Sequence, residues 1–260
     1  VSTARSVRIL LLLLVLGAVA AQAWIDRAST TDWDDPLWVG IFPLNGDGSE
    51  VSERYIASLT EADFAGIADF FAREARRFGV QIEQPVRIEL YPSPSRLPPV
   101  LPAGAGPLST MWWSLRLRWY AWRMSDVTGR APAQIRIFVL YHDPQRSPRV
   151  PHSLGLEKGL VGVVHAFADR SMRRSNEIVI AHEVMHTLGA TDKYDPETNA
   201  PLFPHGYAEP ERVPLHPQPR AEIMAGRRAL SEGRHEMPES LDQVVVGAAT
   251  AAEIRWMRLP

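Results

Sequence analysis

Cysteine is absent from the 260 residues. That excludes disulfide scaffolds, thiol nucleophiles and cysteine-ligated zinc together. It leaves the redox compartment open, because a cysteine-free chain can fold in any. Lysine is nearly absent too, with only Lys158 and Lys193. There is no excess of positive charge: Lys and Arg number 28 against 30 Asp and Glu, a formal net charge of −2. Nucleic acid is therefore not an expected partner, since its backbone needs a basic field. No internal repeat and no low-complexity tract is present, so repeat architectures are not expected. What remains is a composition with 45% apolar and 22% charged residues. It suits one folded domain, alone or behind a leader, and excludes a mainly disordered chain.

Residues 9–25 are the one long apolar stretch, polar only at Gln22. Arg5 and Arg8 precede it, and Ala18-Val19-Ala20-Ala21-Gln22-Ala23 lies towards its end. Positive, apolar and small-residue regions in that order make a signal peptide, with cleavage after Ala20 or Ala23. A retained anchor fits as well, at the short limit for a membrane span. Both readings put the remaining chain outside the cytoplasm, because the arginines stay inside. Residues 1–23 are accordingly read as signal peptide or N-terminal membrane anchor, and 24–36 as a linker. Membrane association through residues 9–25 follows from the second reading. The expected location is the periplasm, the outer face of a bacterial inner membrane, or the medium.

The rest reads as an α+β chain of α/β-like order. Strands are expected over 37–43, 86–90, 134–141 and 160–168, from their β-branched and alternating runs. Thr60, with Asp63 three residues on, starts a helix to about 78 that Gly79 ends. Residues 92–107 are a Pro- and Gly-rich loop, and 108–124 a helix with four tryptophans. Those tryptophans, with Arg116, Arg118 and Arg123, fit a membrane-surface helix. The favoured reading is core residues with snorkelling cations. Ser175 opens another helix, 192–237 is irregular, and Thr250 to Glu253 reads as the capping box of a short last helix.

Residues 182–186 read His-Glu-Val-Met-His. On a helix, positions i and i+4 point the same way, so both imidazoles can reach one ion. Glu183 can then take a proton from a water that a zinc ion has acidified, as that water attacks a carbonyl carbon. Gly189 can end the helix with a positive φ and turn the chain back. Asp192 then falls where a third ligand belongs. Glu209, Glu211 and Glu222 are the alternatives, but no second helix carries them.

The run from His182 through Gly189 to Asp192 resembles the metzincin zinc peptidases, whose motif is His-Glu-x-x-His-x-x-Gly-x-x-His/Asp. The aspartate form, with Tyr194 two residues on, is similar to small bacterial snapalysin-type enzymes and to immune-inhibitor-A-type peptidases. The Asp-Lys-Tyr-Asp-Pro segment also resembles an uncharacterised group of bacterial membrane-associated zinc peptidases. The sharp part runs from Asn176 to Gly226. The resemblance implies a metzincin-like domain over 37–260, with an upper part at 37–189 and a lower part at 190–260. It implies a mixed twisted sheet, an active-site helix, a small irregular C-terminal subdomain ending in a helix, and Zn2+ as cofactor. It further implies a methionine turn at Met224. One departure is Gly226, where many of these enzymes carry tyrosine; its role would pass to Tyr194 or Tyr207.

Each assignment has a plainer rival. Met224 could be a core methionine, and Tyr194 either packs or stabilises an oxyanion. His165, in the strand before the motif helix, is a substrate contact or simply a half-buried histidine. The expected function is a zinc metallopeptidase acting on protein or peptide substrates. The alternatives are a silent membrane-tethered metal-binding scaffold and a zinc hydrolase of non-peptide amides.

Overall fold

Leu37, Val39 and Ile41 point to one side of β1 (Leu37–Asn45), and Phe42 and Leu44 to the other; all are buried. A strand apolar on both faces belongs inside a sheet covered on both sides. The computed structural model describes residues 30–257 apart from 103, 128 and 158, together with residues 7, 10, 13 and 17. The rest of the expected leader, and residues 24–29 of the linker, lie outside the described residues. Among the described residues no helix is long and apolar enough to cross a membrane.

The fold is mixed α/β. Five strands form one sheet in the order β2-β1-β3-β5-β4. β2 (Val86–Leu90), β1, β3 (Ile135–His142) and β5 (Val161–Phe167) are parallel, and β4 (Leu154–Leu156) pairs antiparallel at the β5 edge. Helices α1 (Glu50–Ala57), α2 (Ala65–Arg77) and α4 (Arg173–Thr187) cover one face. There Phe70 and Phe71 of α2, and Ile180 and Val184 of α4, join Ile41, Ile137 and Val139 in one core. Helix α3 (Pro107–Met124) covers the other face, where Trp113, Leu117 and Tyr120 meet Phe42, Phe138 and Leu140. Each such fully buried side chain contributes about 1.5–3 kcal/mol. Towards the C-terminus come two small sheets, β6 (Ala221–Glu222) with β9 (Val244–Val245) and β7 (Arg228–Ser231) with β8 (Arg234–Glu236), and then helix α5 (Ala248–Glu253).

The Thr60–Asp63 box forms as expected, with the Thr60 N–H donating to Asp63 Oδ2 at 2.8 Å, though the first turn is a 3-10 helix. Other expectations need correction. Thr250 is not a cap: α5 starts earlier, behind Gly247. Its hydroxyl donates to Glu222, and Glu253 accepts from Thr191 and Lys193. Distant partners have displaced the local box. α1 and β4 were not anticipated. α1 has only eight residues, too few for a clear period, and β4 exists because β5 offers an edge to pair with. The core reading of the α3 tryptophans holds for Trp113 but fails for Trp112, Trp119 and Trp122, which are 63%, 63% and 67% exposed.

Candidate metal centre

Helix α4 carries the motif and is held at both ends. At its start, the Asn176 amide donates to the Phe167 carbonyl at 2.9 Å, tying the helix to the end of β5. At its end, Gly189 takes φ +97° and the Ala190 N–H returns to the Met185 carbonyl at 3.1 Å. Glycine suits that position because a left-handed φ strains residues with a Cβ. The reversal aims the Ala190 carbonyl at His186 Nδ1, 2.8 Å away. The Ile223 carbonyl, from the turn containing Met224, meets His182 Nδ1 at 2.9 Å.

A carbonyl only accepts, so both Nδ1 atoms carry protons. Each ring then presents Nε2 to the same place. His182 Nε2 is 3.2 Å and His186 Nε2 3.1 Å from Asp192 Oδ1. Two imidazole lone pairs facing a carboxylate oxygen repel unless positive charge lies among them. Protonating the rings supplies it, and so does a metal ion. His182, His186 and Asp192 thus form a candidate metal-binding group, with donor atoms all within 4.8 Å of one another. Two neutral nitrogens and one carboxylate oxygen fit zinc, and the carbonyls supply the outer hydrogen bonds that ligating histidines need. Burial pulls the His182 imidazole down, yet Asp192, Glu183 and the Ile223 carbonyl outweigh it and bring it to about 9. Burial raises Asp192, but hydrogen bonds from both histidines hold it far below the usual carboxylate range.

Glu183 sits beside this group and is only 4% exposed. Among the described residues its Oε2 meets no hydrogen-bond donor. Burial pushes its carboxyl up, the two histidines pull it back, and Asp192 raises it again. A buried carboxylate with a bare oxygen is costly for folding alone. Tyr194 lies on the same side, its ring centroid 6.5 Å from that of His182. Burial, then the charges of Asp192 and Glu183, push its phenol up, so it stays protonated and able to donate.

Among the described residues, no other expected residue joins His182, His186 and Asp192 in that group. His165 Nδ1 is 2.9 Å from His142 Nε2, and burial and that neighbour lower it to about 4. The Tyr207 hydroxyl is 3.3 Å from His216 Nε2 and its ring packs on Phe203; only its backbone, bridged to Ala221, approaches the turn. Glu209 pairs with Arg212 and Arg220, and Glu211 is exposed. Met224 is fully buried, and its carbonyl accepts from the Lys193 N–H at 2.9 Å, which ties the loop around Asp192 to the turn.

Several supporting residues gave little warning in the sequence. Lys193 is buried, and its Nζ reaches Glu253 Oε2 at 2.8 Å and the Thr191 carbonyl at 2.7 Å, clamping the loop around Asp192 onto α5. Gly155 of β4 lies so close to α4 that a Cβ would come 2.5 Å from His186 Cβ and 3.0 Å from Glu183 Oε2. Glu222 is the third. Its carboxylate accepts from the Met224 and Ala225 N–H groups at 2.6 and 3.0 Å, and from Gly247 N–H and Thr250 Oγ1 at 3.1 and 2.7 Å. Four donors occupy it, so it serves as the post of the turn. Glu222→Gln turns an NH2 towards groups that donate and is expected to cost about 2–4 kcal/mol. Urea unfolding measures this; an unchanged midpoint would deny Glu222 that role.

No family model and no curated protein matches this chain.

Proposed function

We propose that this protein is a zinc-dependent metallopeptidase of metzincin type. The observation that carries the reading is the convergence of two Nε2 lone pairs on Asp192, with both Nδ1 protons committed to backbone carbonyls. His182, His186 and Asp192 would hold the ion. Bound there, zinc supplies Lewis acidity and brings the pKa of a water near 7. Glu183, whose Oε2 has no competing donor, accepts the proton as the water attacks and returns it to the leaving amine. The Tyr194 phenol, kept protonated, donates to the oxygen that gains charge. Edge strand β4 runs beside Glu183 and His186, and its outer backbone can pair with an extended peptide. Peptide is thus the substrate class that fits best. Export, with residues 1–23 as leader or anchor, completes the proposal.

Three converging donors and a bare buried base argue against a silent scaffold. Structural zinc sites fill their fourth position with protein and need no base. Metal analysis of the purified full chain is expected to give about one zinc per chain. A peptide library should be cleaved, cleavage should stop with chelator, and zinc should restore it. A zinc-loaded chain that cuts cell-wall amides but no peptide would sink the peptidase reading in favour of another amide hydrolase.

A further inference from the structure

Helix α3 is apolar on two opposite sides. Trp113, Leu117, Tyr120 and Ala121 face the sheet. Leu108, Met111, Trp112, Leu115, Trp119 and Trp122 fall within an arc of about 100° on the far side. Their exposures run from 42% at Leu115 to 77% at Leu108. Scattered exposed apolar residues are ordinary, but a continuous stripe marks an interaction surface. This one extends along a helix about 27 Å long.

The charges say what covers it. α3 contains Arg116, Arg118 and Arg123 and no acidic residue. Helical spacing places Arg116 and Arg123 on one flank of the stripe and Arg118 on the other. Tryptophan suits the boundary between headgroups and acyl chains, and flanking arginines reach lipid phosphates. The path of the chain agrees. Thr30 lines the same surface depression as Gly159, and the Arg118 side chain packs against Gly159. Residue 25, where the apolar stretch ends, is five residues before Thr30. Five extended residues reach about 18 Å. With residues 9–25 seated in a bilayer, the α3 side of the domain is within reach of its surface.

We propose that α3 lies in the plane of an anionic membrane surface, with its tryptophan stripe at the headgroup boundary and Arg116 and Arg123 on lipid phosphates. This contact is separate from the metal centre, since α3 and α4 cover opposite faces of the sheet.

The cysteine-free chain makes a direct test practical. One nitroxide spin label is placed on the full chain at Leu115→Cys. A reference label goes at Glu50→Cys on α1, which packs on the other face. The protein is bound to vesicles of phosphatidylglycerol and phosphatidylethanolamine. The label at 115 is expected to gain collisions with dissolved oxygen and lose most collisions with a water-soluble nickel chelate; the label at 50 should stay open to the chelate. Adding Trp112→Ser, Trp119→Ser and Trp122→Ser, all at exposed positions, should abolish the shielding at 115. So should Arg116→Glu with Arg123→Glu. Equal chelate access at 115 and 50 overturns the proposal. So does shielding at 115 without vesicles accompanied by spin–spin broadening, which would mean that a second copy covers the stripe.

Discussion

Glu183→Gln is expected to keep its metal and its fold while kcat on a peptide substrate falls by about 10²–10⁴. The amide fills the same space, and no hydrogen bond to Oε2 is lost because none is made there. It cannot accept the proton. Stability should not fall, and a modest gain is expected, since a desolvated charge is replaced by a neutral group. Activity, metal content and melting temperature need measuring on one preparation. Loss of turnover with full zinc and an unchanged or higher melting temperature is the expected pattern. Near-normal hydrolysis would place the base elsewhere and leave the buried carboxylate unexplained.

Asp192→Ala is expected to weaken zinc binding by more than about 100-fold, since changes even to residues outside the ligand set cost 10–100-fold. The substitution removes the one carboxylate that, among the described residues, joins the two histidines in a candidate metal-binding group. Asp192→Asn should fall between the wild type and alanine, because a neutral amide oxygen is a poorer donor. Asp192→His should recover more binding than alanine, as imidazole is a good zinc ligand. Glu209→Gln and Glu211→Gln should leave affinity unchanged, the first because that carboxylate pairs with arginines. Competition against a chelating dye reads all five. If either glutamine variant loses zinc while Asp192→Ala keeps it, the third ligand is not Asp192. Gly189→Val offers a separate check, because it touches no ligand. A β-branched residue at φ +97° is strained by about 1–3 kcal/mol, and relaxing that strain would move the Ala190 carbonyl off His186.

Much of the centre was legible because its spacing is local. His182 and His186 share a helix face by periodicity alone, and the structure places their Nε2 atoms together. Gly189 was legible as a helix end because the positive φ has a residue preference. Other signals were local but misleading. Thr250 and Glu253 have capping-box spacing, yet Glu222, Thr191 and Lys193 take their side chains. Glu222 looked like a spare ligand, and four donors make it a structural post instead. The α3 tryptophans show the limit of composition, since burial depends on which side of the helix meets the sheet.

By itself the sequence determined the four longest strands, the motif helix and the pair of histidines on one face, because each follows from side-chain period or φ preference within a few residues. Only the tertiary structure decided which acid joins the pair. It also decided which carbonyls orient the rings, that β4 borders Glu183, and that three tryptophans face outward. Several of those outcomes depend on residues that meet across long stretches of chain. His182 and the Ile223 carbonyl are 41 residues apart, and Lys193 and Glu253 are 60 apart. No local pattern specifies such contacts; the packing of α4, α5 and the turn at Met224 around one core does.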